Sequence, residues 1–378
     1  MIYVVKPGDN VDAIALENNI SVNELIYDNQ IEYPYALAVG QALYIRETEP
    51  EAGRSITVNG YAYPFINENI LEETLPYLTY LSIFSYGFTA EGALIPPLID
   101  PQFMIDASNE NNTSPILTLT PLDESGRFNN NLISSVVRND DIQLILIDAI
   151  LAELNSKGYT GVDVDFEYIL SEDRDYFTTF VARMTNILNE SGYTVSVALA
   201  PKTSADQQGL LYEGKDYAGL GAAANSVLLM TYEWGYTYSV PMAVAPINKV
   251  RQVIEYAITE IPSAKIDMGI PNYGYDWPLP YEKGVTRART IGNIEAVNIA
   301  VRYGAVIQYD EIAQTPYFNY TDEQQTEHEV WFEDVRSMQA KFRLISEYNL
   351  RGAGYWQIMR LFRANWLLLS DTYRIIKQ

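Results

Sequence analysis

The sequence predicts an α/β protein: a (β/α)8 (TIM) barrel, with a βααβ module in front of it and a small α+β insertion between strands 7 and 8. Three observations carry this reading. Residues 1–47 hold a strand, two helices and a strand of their own. From residue 55 onward, eight short apolar runs alternate with amphipathic helical stripes. One late interval is too long for a single crossover. A doubly wound sheet has the same periodicity and stays open as the alternative.

In the module, Tyr3-Val-Val5 reads as a strand and Pro7-Gly-Asp9 as a turn. Val11, Ile14 and Ala15 start a helical stripe, and Ser21-Val-Asn-Glu24 is a capping box opening a second helix. Gly40-Gln-Ala-Leu-Tyr-Ile45 returns as a strand. A polar stretch with Pro50 and Gly53 sets residues 48–54 as a linker before a barrel domain spanning 55–378. Barrel strands are expected at Ile56–Tyr61, Tyr80–Tyr86, Ile116–Thr120, Val162–Phe166, Thr194–Leu199, Val227–Tyr232, Ile266–Ile270 and Ala353–Trp356. Among the helices, Glu172–Asn189 aligns Phe177, Phe180, Val181, Met184 and Leu188 on one face. The insertion, about residues 278–333, holds short strand-like runs around a helix at Ile294–Tyr303.

Composition narrows the function. With 25 basic and 49 acidic residues in 378, the net charge is −24. Such a surface repels phosphate, so neither nucleic acid nor an anionic membrane is an expected partner. No cysteine and a single histidine, His328, leave no thiolate chemistry and no polyhistidine metal site, so no metal or cofactor is expected. The N-terminus has no recognisable signal peptide. Thirty tyrosines and five tryptophans supply flat amphipathic faces of the kind that line sugar sites and also pack barrels.

The chemistry centres on Tyr159-Thr-Gly-Val-Asp-Val-Asp-Phe-Glu-Tyr168. A spacing of two puts Asp163, Asp165 and Glu167 on one face of a strand and Val162, Val164 and Phe166 on the other. Three neighbouring carboxylates cannot all ionise cheaply, so a proton is retained near neutrality. Glu167, nearest the strand's C-terminal end, is the general-acid candidate, with Asp165 and Asp163 deeper and sharing a proton.

Two resemblances follow from these residues. The first 46 residues resemble a LysM domain, through Tyr3-Val-Val-Lys-Pro-Gly-Asp9, Ile20-Ser-Val-Asn-Glu-Leu-Ile26 and Val39-Gly-Gln-Ala-Leu-Tyr-Ile45. That implies binding of N-acetylglucosamine-containing glycans, at Gly8, Asp9, Asn10, Gln30 and Ile31. From about Ser55 to Gln378 the chain resembles glycoside hydrolase family 18, whose fourth strand carries D-x-x-D-x-D-x-E. Thr160 replaces the first Asp, and Phe166 stands where Trp is common. The resemblance implies a retaining, substrate-assisted β-N-acetylglucosaminidase with catalytic Glu167, Asp165, Asp163 and Tyr232, the last from Met230-Thr-Tyr-Glu233. It implies substrate contacts from Glu233, Trp356 and Tyr273, with Tyr61, Tyr63, Asp276 and Trp277 at the lip. The third strand lacks the family's S-x-G-G and ends Leu117-Thr-Leu-Thr-Pro121. With the LysM module and His328-Glu-Val-Trp-Phe-Glu-Asp-Val-Arg-Ser337, this is similar to the spore cortex-lytic branch. The implied partner is peptidoglycan or a chitin-like glycan, at a spore or cell-wall location. A chitinase, or a lectin-like binder without turnover, are the alternatives; His328 is assigned no catalytic role.

Overall fold

The structure, a computed structural model, describes residues 1–46 and 53–377, so most of the expected linker (48–52) lies outside the described residues. Eight parallel strands close into a barrel: Ser55–Ala62, Tyr80–Phe88, Ser114–Leu119, Gly161–Val164, Thr194–Leu199, Ser226–Leu229, Ile266–Pro271 and Gly352–Trp356. Closure comes from the first strand, which pairs with both the second and the eighth. The helices predicted from apolar stripes form the outer layer. In Arg174–Glu190, the predicted face of Phe177, Phe180, Val181, Met184 and Leu188 is buried. Phe166 stacks on Phe177 and Phe180 at centroid distances of 5.7 and 6.1 Å, which anchors the outward side of the fourth strand.

The fourth strand ends earlier than its pattern suggests, at Val164 rather than Phe166. Its neighbour stops at Leu119, and the last ladder bond runs from the Asp165 amide to the Leu119 carbonyl (2.9 Å). Beyond that point the chain is free to lift Glu167 above the barrel. Gly161, the glycine of the signature, is required by packing: a Cβ there would sit 2.5 Å from the Thr194 carbonyl oxygen.

The insertion is larger than expected. Its antiparallel sheet starts at Gly274 and orders Arg289–Ile291, Gly274–Leu279, Glu327–Trp331, Thr315–Thr321 and Gln308–Asp310, with the helix Asn293–Tyr303 against it. His328 is structural here. Its Nδ1 lies 2.7 Å from Asp276 Oδ1, and its ring stacks on Tyr320 at 4.6 Å.

The N-terminal module pairs Ile2–Val4 with Ala42–Tyr44, encloses its own small core, and docks on the barrel. The Arg363 guanidinium lies 3.8 Å from the centre of the Tyr27 ring and donates to the Tyr27 carbonyl (2.7 Å). Asp371 accepts from Tyr44 (2.8 Å) and Arg46 (2.9 Å). Gly40, at φ +86°, lies so close to the insertion that a Cβ would fall 1.9 Å from the Ile307 carbonyl oxygen. No helix among the described residues is long and apolar enough to cross a membrane.

Candidate active site

The C-terminal ends of the fourth, sixth and eighth strands surround an open cleft of about 530 Å³. Asp165, Glu167, Tyr232, Glu233 and Trp356 line it together, and the sequence placed all five at one site. Glu167 is half-buried with its side chain in the cleft. Asp165 is buried, and its Oδ1 has no hydrogen-bond partner among the described residues. Asp163, fully buried below, accepts from Tyr61 Oη (2.8 Å) and Ser196 Oγ (2.5 Å). Two donated hydroxyls thus hold Asp163 in place beneath Asp165.

The electrostatics follow from this stacking. Burial raises the Asp163 pKa, and the two donated hydroxyls pull it partly back. Burial holds Asp165 well above the usual carboxylate range, and the charges of Glu167 and Asp163 add to the rise. Glu167 is raised by burial too, with the ammonium of Lys215 opposing. A proton therefore resides on the Asp165–Glu167 pair at pH values where free carboxylates have lost theirs. Tyr232 is also raised well above normal, first by burial and then by the surrounding carboxylates, so it stays a hydroxyl donor.

Around the acids, several residues hold other positions than the lip or wall foreseen. Tyr61 is buried under the acids as the donor to Asp163. Tyr273 is buried behind Glu233 and donates its hydroxyl to Glu233 Oε1, as Tyr275 does at 3.0 Å. Glu233 itself sits at φ +67°, a left-handed backbone uncommon for a non-glycine, so this carboxylate is held at a strained turn. Asp276 and Trp277 belong to the insertion sheet: Asp276 bonds His328 and Tyr320, and Trp277 is fully buried, donating to the Ser239 carbonyl (2.8 Å). Trp356 packs edge-on against Phe84 (5.0 Å) and keeps a face to the cleft, beside the rim pair Tyr63 and Phe65 (5.1 Å). Tyr168, Tyr212, Trp234 and Tyr236 complete the lining, though the sequence analysis did not single them out. Aromatics following barrel strands four to six were the available signal.

In the module, Gly8 and Asn10 are exposed, while Asp9 is partly exposed and accepts from Tyr3 and the Lys6 amide. Asn10 caps the first helix. Gln30 and Ile31 line a pocket where the module meets the barrel domain. The Gln30 amide group binds the Arg363 amide (2.7 Å) and the Leu361 carbonyl (3.3 Å), and Ile31 is buried in the module core.

A closed eight-stranded parallel barrel with a ladder of acids at its C-terminal mouth defines a glycosidase-type site. Comparison agrees: residues 125–360 match the model of the Glycosyl hydrolases family 18, and residues 3–46 match that of the LysM domain. The chain belongs to glycoside hydrolase family 18 and carries an N-terminal LysM domain. It is similar to the cortical fragment-lytic enzyme of Bacillus subtilis (strain 168), with 42% identity over 100% of this chain and 99% of that one. Among solved structures it is similar to the Bacillus megaterium QM B1551 spore cortex-lytic enzyme SleL (TM-score 0.92, 34% identity, 100% and 99% coverage). It also resembles a chitinase from Chromobacterium violaceum ATCC 12472 (TM-score 0.77, 25% identity, 84% and 98% coverage).

Proposed function

We propose that the chain is a β-N-acetylglucosaminidase that cleaves β-1,4 bonds in peptidoglycan, acting on spore cortex fragments at the spore or cell wall. The observation that carries the mechanism is the bare Oδ1 of Asp165, buried in the cleft shared by Glu167 and Tyr232. An orphaned carboxylate oxygen is costly unless a ligand supplies its donor. The N–H of a substrate 2-acetamido group fits that need.

The reaction is then retaining and substrate-assisted. Glu167 donates its proton to the glycosidic oxygen as the bond from that oxygen to C1 breaks. The acetamide carbonyl oxygen bonds to C1 from the opposite face, giving an oxazolinium ion. Asp165 accepts from the acetamide N–H and stabilises its positive charge, while Tyr232 donates to the acetamide oxygen. The Glu167 carboxylate next takes a proton from water, whose oxygen attacks C1, reopens the ring and restores the starting configuration. Trp356 forms the apolar floor, and Glu233 accepts a sugar hydroxyl. Relatives named for cortex fragments over nearly their full length support the polymer assigned.

Mass spectrometry of products from spore-cortex fragments, beside chitin oligomers, tests the assignment. Cleavage of cortex glycan at N-acetylglucosamine is expected, with glycans lacking the 2-acetamido group left intact. Turnover of such a des-acetamido glycan sinks the mechanism, and a preference for chitin replaces the substrate.

A further inference from the structure

A buried lysine stands behind the acids, and no part of the mechanism above uses it. Lys215 precedes the helix Tyr217–Ala223 and has no exposed surface. Its ammonium forms no ion pair among the described residues. It donates instead to the carbonyl of Phe166, the residue between Asp165 and Glu167, and to the Ala198 carbonyl (3.1 Å) on the next strand. A full positive charge in a dry barrel wall is costly without a compensating anion. The neighbouring groups show what compensates it. Asp163, Asp165 and Glu167 are the acids acting on it, whereas Asp216, next in the chain, is engaged with Arg174 (3.3 Å). Phe177 covers one side at 5.3 Å. Lys202, itself buried, donates to the Lys215 carbonyl (3.0 Å) and fixes its backbone. Tyr232, Glu233, Tyr61 and Tyr63 are the other titratable groups that interact with these acids.

We infer that Lys215 is a positioning residue for the hydrolysis proposed above, holding the Asp165-Phe166-Glu167 segment in place and setting, through its charge, how readily the three acids hold protons. Geometry gives it both roles. The bond to Phe166 fixes the residue that joins the two catalytic acids, and among the described residues the Lys215 ammonium is the buried cation that acts on all three acids. Burial draws the Lys215 pKa down to about 8 and the acids push it back, so Lys215, Asp165 and Glu167 titrate together.

The inference rests on the hydrolase reading, and its tests separate the two. In the first, kcat/KM on an acetamido-glycan oligomer is followed against pH for wild type, Lys215→Met and Lys215→Arg. Loss of the cation leaves the carboxylates holding protons more tightly, so both limbs of the Lys215→Met profile move up by about one pH unit, while Lys215→Arg restores the wild-type limbs. A lower but unshifted Lys215→Met profile marks a merely structural lysine and overturns the inference.

The second needs neither turnover nor a variant at 215. In lysine-labelled protein, the Lys215 side-chain resonance is titrated in wild type and in Glu167→Gln. Coupling is reciprocal, so deleting the glutamate charge lowers the Lys215 midpoint. An unchanged midpoint overturns the inference even if Lys215→Met does not fold. Absence of wild-type turnover on every acetamido glycan strikes the hydrolase reading and leaves this second result standing.

Discussion

The barrel buries carboxylates in two ways. At the root of the insertion, Glu333 lies 2.7 Å from the Lys341 ammonium with both side chains out of solvent, and at the barrel floor Asp267 meets Arg351 and Thr57. At the mouth, Asp163, Asp165 and Glu167 share one face, with no cation in contact among the described residues. Burial raises the pKa of Glu333 and Asp267 too, but a touching cation opposes it, and those groups serve packing. At Asp165 in the mouth, like charges reinforce the rise and the cleft leaves room for a ligand to answer it. A buried acid is therefore weak evidence of chemistry. A buried acid left unpaired beside an opening is stronger evidence.

The largest effect should come at the mouth. Glu167→Gln is expected to cut hydrolysis by about three orders of magnitude with glycan binding and melting temperature kept, since one donor is lost and no core is disturbed. Product release that stays within tenfold of wild type would break the contrast. Next, Lys341→Met leaves Glu333 buried alone and should cost about 3–5 kcal/mol in denaturant unfolding, with the pH dependence of kcat/KM unmoved.

Asp165→Asn should lower activity by about two orders of magnitude and yet stabilise the fold at neutral pH. The sign follows from the raised folded pKa. Folded Asp165 holds its proton where the unfolded chain has released it, so wild-type stability falls as pH rises from the unfolded value through the folded one. The amide does not titrate, so stability measured by denaturant across that window should decline less steeply in the variant. The smallest effect concerns the module seam: Arg363→Ala removes the Tyr27 and Glu73 contacts, worth about 1 kcal/mol, read as faster hydrogen exchange in the helix Val22–Asp28.

Much of this was legible in the chain. Period-two acids against period-two apolar residues located the fourth strand and its inward face, and strand-end positions brought Tyr232 and Trp356 to the same cleft. What was hidden depends on contacts distant in sequence. The alternation Tyr275-Asp-Trp277 is itself a strand signal, but only its pairing with Glu327–Trp331 shows that it opens the insertion and buries Trp277. Tyr61 looks like a rim residue until its hydroxyl is seen under Asp163, a hundred residues away in the chain. Lys215 sits in an unremarkable Glu-Gly-Lys-Asp stretch, and nothing local says its ammonium crosses to the Phe166 carbonyl. Gln30 had the right loop for a sugar contact, but the barrel claims its amide.

The seam at Gly40 bears on how the two modules work together. A glycan-binding module pressed flush against the insertion, with no room for even one methyl group, acts less like a leash than like one jaw of a caliper. If the sugar chain is gripped by both jaws, the separation between grip and cut is built into the protein. The lengths of the released pieces would then record that separation.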